Sequence, residues 1–218
     1  MIGEKESDVA RQSIERIRRA ELAEAAWQTL QQWGVTGTTL ARVAEQAGVS
    51  KGIVLHYFTN KDELMEAAMR RANAVLRDDV AGRLKTASSP RGRIEAIIEG
   101  NFSPAFFRPE ICHAWLAFCA EVPRNRQFAR LQRAIHARMH SNLMSGLREL
   151  MPADAAEEAS YAMTSLIDGL WLRLGLEQGG IDRDRARNQC YRYLEMTLRD
   201  HQAKKVPAEK QKVAGRPR

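Results

Sequence analysis

The chain lacks several features that would indicate a membrane, secreted or enzymatic protein. None of its 218 residues belong to an uncharged apolar run of about 18, so we expect no transmembrane helix. Its three cysteines, Cys112, Cys119 and Cys190, show no Cys-x-x-Cys spacing, which favours a reduced, cytoplasmic setting. The charged residues 1–8 lack the apolar segment of a signal peptide. Gly-x-Ser-x-Gly, phosphate-loop and Gly-x-Gly-x-x-Gly motifs are also missing, so we expect no enzyme.

The net charge of +7 does not by itself indicate nucleic-acid binding, because its position matters more than its sum. Residues 1–60 hold seven basic and seven acidic side chains and are therefore neutral. Residues 203–218 hold six basic side chains and one acidic side chain, together with prolines and no core residues. We expect this last segment to be a disordered basic tail, of undetermined role.

Apolar residues recur with the helical period of 3.6 along nearly the whole chain, and no segment alternates as a strand would. The fold class is therefore all-α, with about nine helices. We expect a helix-turn-helix head over 12–60 and a helical ligand-binding and dimerisation domain over 61–202. Within the second domain, helices are predicted at 61–84, 90–103, 105–121, 124–149, 153–177 and 182–201.

The stretch VAEQAGVSKGIVLHYFTNKDEL, residues 43–64, predicts helix, turn, short helix and a further helix start. Gly48 suits a tight turn, and Ser50 suits the N-cap of the short helix. Val49 and Ile53 are expected to hold this helix against its predecessor, leaving the opposite face free for a DNA groove. A helical hairpin inside a larger bundle is the alternative. The face expected to be free carries Lys51, Gly52, Val54, Leu55 and His56.

The segment TTLARVAEQAGVSKGIVLHYFTNKDEL resembles the DNA-binding head of the TetR family of bacterial repressors. The resemblance implies a homodimer that binds double-stranded operator DNA and releases it when a small molecule binds. Arginines at 11, 16, 18 and 19 either contact DNA as well or form a solvated face beside Glu15 and Glu21. The DNA-contacting residues implied are Thr38, Thr39, Ser50, Lys51, Gly52, Val54, Leu55, His56, Tyr57 and Lys61.

IIEGNF, AWLAF and SLIDGLWLR resemble segments of BetI-type members of that family, which respond to choline and control glycine betaine metabolism. Aromatic faces attract a quaternary ammonium, although an aromatic stripe of helical period can equally be core. Cys119 stands where that type tends to carry Trp, which leaves room for a related cation or an unrelated effector such as a drug or lipid. The implied ligand-binding residues are Glu99, Asn101, Phe102, Trp115, Phe118, Cys119, Asp168 and Trp171.

The last two helices are expected to pair with their copies in a homodimer. One short helix reads few base pairs, whereas a two-fold dimer spans half-sites about 34–36 Å apart. Asp168 is alternatively a packing residue of this interface. The predicted interface residues are Met163, Leu166, Ile167, Leu170, Leu174, Tyr191 and Leu194.

His136 and His140 lie four residues apart but without the Glu of a zinc-protease motif, so we expect exposed histidines, no metal site and no cofactor. The favoured interpretation is a ligand-controlled regulator of a palindromic operator, with repression preferred over activation. A helical enzyme with an incidental helix-turn-helix is the rival hypothesis, and the missing catalytic motifs count against it.

Overall fold

A computed structural model describes residues 2–177 and 179–214, with side chains described over 11–177 and 179–201. Regular structure in these residues is entirely helical, which confirms the all-α prediction. The helices are α1 Ile2–Gly37, α2 Leu40–Gln46, α3 Lys51–Tyr57, α4 Lys61–Thr86, α5 Pro90–Asn101, α6 Pro109–Glu121, α7 Arg126–Leu150, α8 Ala153–Leu176 and α9 Arg183–Ala214. None of them, as far as the described residues go, is long and apolar enough to cross a bilayer.

Prolines account for one difference from the predicted helix bounds. A helix was expected over 105–121, but residues 102–108 form turns and α6 begins at Pro109. Proline has no backbone N–H and its ring clashes with a preceding helical turn, so it suits the first position of a helix and not its interior. The segment with Phe106 and Phe107 therefore lies outside α6.

The segment expected to be a disordered tail also differs from expectation. Helix α9 continues to Ala214, so the backbone over 203–214 is helical. The lysine, glutamate, glutamine and alanine residues in this segment have high helix propensity, which favours the extension, whereas Pro207 within it opposes a helix. Residues 215–218 and the side chains after position 201 lie outside the described part of the chain.

The chain divides into two compact units, and α4 and α7 contribute a segment to each. Unit 1 comprises Met1–Arg77 and Pro109–Ala134, and unit 2 comprises Asp78–Arg108 and Ile135–Arg218. This division follows packing alone, so the functional boundary predicted at residue 60 stays a prediction.

The core of unit 1 is built where α1 packs against α2 and α3. Small residues allow close approach of the helices, and Val54 and Phe58, both fully buried, close the core from the side of α3. Helix α6 packs on the other side of α1 within the same unit. The buried residues of this core are Leu22, Ala25, Ala26, Val43, Ala44, Val54, Phe58, Leu64 and Ala68.

In unit 2, α5 crosses α7 in close contact. A Cβ on Gly146 would lie 2.5 Å from the backbone oxygen of Pro90 and 3.0 Å from Ile94, so only glycine fits there. Ile94, Ile97 and Ile98 of α5 are fully buried in this unit. Apolar residues of α5, α7, α8 and α9 thus form the core of unit 2, which uses different segments of the chain from the core of unit 1.

Candidate DNA-binding and ligand-binding sites

The turn between α2 and α3 is a Schellman motif centred on Gly48. The Gly48 N–H donates to the Glu45 oxygen at 3.1 Å, and the Val49 N–H donates to the Ala44 oxygen at 2.9 Å. Gly48 has a φ of 66°, in the left-handed region that this motif requires and that glycine adopts without strain. The turn therefore ends α2 and redirects the chain within three residues.

Helix α3 starts at a side-chain cap and presents a free face. The Ser50 hydroxyl accepts from the Ile53 N–H at 3.3 Å. Lys51, Gly52, Leu55 and His56 are exposed, as predicted for a helix that enters a groove. The Ser50 side chain is exposed, and its hydroxyl fixes the start of the helix by this cap hydrogen bond.

The prediction was wrong about which apolar side chains anchor α3. Val54, expected on the free face, is 0% exposed, whereas Ile53, expected to be buried, is 42% exposed. Val54 and Phe58 are four residues apart and form the buried stripe, with Phe58 placed by its extended backbone just after the helix. In a helix of seven residues, two apolar stripes fit the sequence equally well, and only packing distinguishes them.

Two predicted phosphate-contacting threonines have different surroundings. Thr38 is 1% exposed and its hydroxyl donates to the Gly34 oxygen at 2.7 Å, so its assignment to DNA was wrong. Thr39 is exposed and caps α2 by accepting from the Arg42 N–H at 3.2 Å. Only the second threonine presents its hydroxyl at the surface.

Lys61 and Tyr57 lie at the ends of α4 and α3 and are half-buried. The Lys61 ammonium donates to the Val35 oxygen at 2.9 Å. An ammonium has three donors, so two remain for another acceptor. The Tyr57 ring meets the His56 ring edge to face, with centroids 4.9 Å apart.

Arg19 connects the two helix ends that flank this site. Its guanidinium lies 4.4 Å from the Phe58 ring centroid and donates to the backbone oxygen of Tyr57 and, at 2.6 Å, to the Glu63 carboxylate. Arg19, one of the four arginines expected either to contact DNA or to form a solvated face, is instead engaged inside the head. The Asn60–Glu63 spacing in the sequence is typical of a capping box, in which the carboxylate accepts a hydrogen bond from the backbone at the start of the helix.

Glu63 stabilises the start of α4 through hydrogen bonds on both its side chain and its backbone. Its carboxylate accepts from the Thr59 N–H at 2.8 Å, and its own N–H donates to the Asn60 side chain at 2.9 Å. The pKa of Glu63 is lowered, chiefly by the hydrogen bond from Arg19 and next by the one from the Thr59 backbone. The ionised form therefore ties α3 and α4 together.

Two aromatic clusters lie in the molecule, one in each unit. In unit 1, Phe118 lies 5.4 Å from Trp115 and 5.1 Å from Phe128 by ring centroids. In unit 2, Phe107 lies 5.0 Å from Phe102 and 5.7 Å from Trp171. The sequence did not assign Phe107 or Phe128 to a site, since neither falls in IIEGNF, AWLAF or SLIDGLWLR.

Unit 1 also contains a cavity of about 370 Å³ beside Phe118 and Phe128. It lies between the end of α1, the first turns of α4, helix α6 and the start of α7. Its lining combines apolar and charged side chains: Val35, Lys61, Asp62, Met65, Met69, Ala114, Ala117, Phe118, Glu121, Arg124, Asn125 and Phe128.

Glu99 was predicted to bind a ligand, but it is engaged within unit 2. Its carboxylate accepts from Arg187 at 2.6 Å and from the Tyr191 hydroxyl at 2.5 Å, and pairs with Arg183 at 3.4 Å. Burial, and then the hydrogen bond to Glu99, raise the pKa of Tyr191 to about 12. Two guanidinium groups already neutralise this carboxylate, and its role as counter-charge to a cation stays a prediction.

The other predicted polar ligand residues also have partners. Asn101 is buried and its amide donates to the Ile97 oxygen at 2.8 Å. Asp168 is about half exposed and lies 3.4 Å from His136. The pKa of His136 is raised, mainly by its hydrogen bond with Asp168. Cys119 is half-buried on α6, one residue beyond Phe118.

Most of the residues predicted for the dimer interface are buried or engaged within unit 2. Met163, Ile167 and Leu170 are 2–4% exposed and belong to the core of unit 2, as does Leu194 of α9 at 1%. Tyr191 is likewise occupied by Glu99. Leu166 and Leu174 are half-buried. Four large apolar side chains of these helices remain exposed: Tyr161, Leu172 and Leu176 of α8 and Met196 of α9, with exposures of 76%, 45%, 69% and 62%.

A Schellman turn between two short helices, with the second anchored at one side and exposed at the other, defines a helix-turn-helix transcription regulator. The family model "Bacterial regulatory proteins, tetR family" matches residues 22–68. The model "BetI-type transcriptional repressor, C-terminal" matches residues 90–199. The chain belongs to the TetR family of transcriptional regulators and, within it, to the BetI type.

Individual relatives agree with this assignment. The regulator BetI 1 of Chromohalobacter salexigens is 42% identical over 183 residues, which is 84% of this chain and 91% of the relative. BetI of Escherichia coli K12 is 37% identical over 187 residues, covering 85% and 96% of the two chains.

Solved structures share the fold. A putative transcriptional regulator of Pseudomonas aeruginosa PAO1 is 27% identical with a TM-score of 0.72, covering 84% of this chain and 91% of its own. A putative regulator of Saccharomonospora viridis, solved in complex with choline, has a TM-score of 0.70 at 20% identity, covering 81% and 95%. At that identity the likeness shows the fold alone.

We predict that the head becomes less stable in acid through Glu63. Because the folded-state pKa of this carboxyl is lowered, its stabilisation is present above the ordinary value of 4.5 and is lost as pH falls through the lower folded value. Both partners are partly exposed, so the contribution is about 1 kcal/mol or less. Thermal unfolding of wild type and Glu63→Gln should differ at neutral pH and converge towards about pH 3. A pH-independent difference would contradict this.

Proposed function

We propose that this protein is a repressor that binds a palindromic operator as a homodimer and releases it when choline or a related quaternary ammonium binds. The observation that carries the proposal is the orientation of α3, whose exposed face is formed by Lys51, Leu55 and His56 while Val54 and Phe58 hold its other face in the core. A short helix held in this way can enter the major groove without rearrangement of the head.

The DNA contacts divide by chemistry. Lys51 and His56 can donate to base edges, and Leu55 can contact a thymine methyl group. Gly52 allows the backbone to approach closely, and Ser50 sets the helix start. Thr39, Tyr57 and the two remaining donors of Lys61 suit backbone phosphates, which position the protein without reading sequence.

We predict different effects from the two classes of contact. Lys61→Ala and Tyr57→Ala should weaken binding to all duplexes, and Lys61→Ala should lower the salt slope by about one unit. Lys51→Ala or His56→Ala should instead change the preferred sequence. Fluorescence anisotropy with selected and scrambled duplexes, over a range of salt concentrations, measures both. Equal affinity of the wild type for the two duplexes would contradict the repressor proposal.

We assign the dimer interface to the exposed apolar face of α8 and α9. Tyr161 and Leu172 are eleven residues apart and Leu176 four further on, so they lie along one side of α8. Large apolar side chains exposed along one side of a helix are typical of association sites. A two-fold pairing through it would supply two heads, which is what a palindromic operator requires.

We predict that Leu176→Asp dissociates the dimer. A carboxylate buried in an apolar interface loses hydration without gaining a partner, which costs several kcal/mol. Val75→Asp is the matched control, because Val75 is also exposed, at 37%, but lies on α4. Sedimentation velocity should show monomers for Leu176→Asp only. A wild-type monomer, or dimers of both variants, would contradict the assignment.

For the effector, the aromatic faces matter more than the carboxylates. A quaternary ammonium has no hydrogen-bond donor, and each aromatic face contributes about 0.5–2 kcal/mol by cation–π attraction. Glu99 and Asp168 already have basic partners, so neither is an unshared counter-charge. We therefore assign cation binding first to Trp115 and Phe118 of α6, and the cluster with Phe102 and Trp171 is the second candidate.

We predict that choline quenches tryptophan fluorescence and releases operator DNA. Trp115→Ala should weaken choline binding about 2- to 30-fold through loss of one aromatic face. Trp33→Ala is the control, since Trp33 is an exposed tryptophan of the head. The neutral isostere 3,3-dimethylbutan-1-ol should bind much more weakly than choline. Equal binding of this alcohol would contradict a cation site, and release by an unrelated drug or lipid alone would favour the alternative effector class.

A further inference from the structure

Four arginines at the start of α7 form an exposed basic surface in unit 1. This arginine stripe consists of Arg124, Arg126, Arg130 and Arg133, all of them exposed. Residues 126, 130 and 133 lie on one side of the helix and border a shallow groove of about 350 Å³ with Gln127 and Ala129.

The arginine stripe lies in a stretch of sequence that has no acidic residue of its own. Residues 122–148 contain six arginines and no aspartate or glutamate. Within the described part of the chain, the four guanidinium groups have no ion pair or hydrogen bond, whereas Arg70 pairs with Glu66 and Arg83 with Asp79. Like charges repel when they are this close, so a concentration of uncompensated charge of one sign favours a polyanionic partner.

The position of the stripe connects it to the head. The Asn125 side chain caps α7 by accepting from the Gln127 and Phe128 N–H groups. The same side chain donates to Asp62, in the first turn of α4, at 3.4 Å. Arg124 and Lys61 line one cavity. The stripe therefore starts beside the end of α4 to which we assign a phosphate contact.

We propose that the arginine stripe binds backbone phosphates of the DNA that flanks the operator, without reading its sequence. The inference rests on the proposed binding of operator DNA. From Arg126 to Arg133 the stripe rises about 10 Å along the helix, which matches about three successive phosphates of one strand. Guanidinium groups are suited to phosphate because their donors match its oxygens in pairs. Since the 60 N-terminal residues are electrically neutral, this surface would supply attraction that the head itself lacks.

The test compares a core duplex of about 20 base pairs, selected with the wild-type protein, with a duplex extended to about 60 base pairs around the same core. The variant is Arg126→Gln, Arg130→Gln and Arg133→Gln together. The control, Arg70→Gln, Arg83→Gln and Lys85→Gln, removes the same charge from α4. Removal of one arginine–phosphate pair should lower the salt slope by about 0.9, so the slope of the stripe variant on the long duplex should fall by about two to three units.

We expect the stripe variant to keep wild-type affinity for the core duplex and to bind the long duplex about tenfold or more weakly, with the control unchanged. An unchanged salt slope on the long duplex, or an equal loss in the control, would overturn the inference. Loss of binding to phosphatidylserine vesicles with unchanged DNA binding would assign the stripe to a membrane instead. Failure of the wild type to bind any core duplex would contradict the proposed function. This outcome differs from those that overturn the inference about the arginine stripe alone.

Discussion

The anchoring of α3 by Val54 and Phe58 is the constraint on which the rest of the DNA-binding site depends. A helix of seven residues has too few internal hydrogen bonds to persist alone, so its orientation comes from tertiary packing. Two buried side chains one turn apart fix its rotation, and the Gly48 turn and the Ser50 cap fix its start. Arg19 then fixes its end through Tyr57 and Glu63. Exposure of Lys51, Leu55 and His56 follows from this packing.

The carboxylates of unit 2 are already paired, which explains why aromatic rings and not carboxylates would recognise a cationic ligand. In unit 2 the carboxylates of Glu99 and Asp168 are paired with basic side chains, which fasten α9 to α5 and α8 to α7. Removing such a carboxylate from its partner to serve a ligand would leave a guanidinium or imidazolium uncompensated. Aromatic faces have no ion pair that ligand binding would break, and they select a methylated ammonium over a hydrated inorganic cation.

The sequence predicted those features that depend on local chemistry. The all-helical fold, the turn at Gly48, the cap at Ser50 and the start of α4 near Asn60 follow from backbone preferences within a few residues. It did not predict the rotation of α3 or of α8, because each helix offers two equally apolar stripes. The two stripes are Val49–Ile53 and Val54–Phe58 for α3, and Met163–Ile167 and Leu172–Leu176 for α8. Partners distant in sequence decide between such stripes. The Arg187–Glu99 pair joins residues 88 apart and leaves no local pattern.

Basic charge is separated along the chain from the helix that would read the operator. A reading face of α3 that is modest in charge limits sequence-independent attraction to other duplexes. The neutral first 60 residues fit that requirement. Attraction to the phosphate backbone must then come from outside the reading helix, at Lys61 and at basic surface such as Arg126, Arg130 and Arg133. Because the stripe starts beside α4, a shift of this region would change both the spacing of the heads and the strength of the backbone contacts. An effector could therefore weaken DNA binding without touching α3.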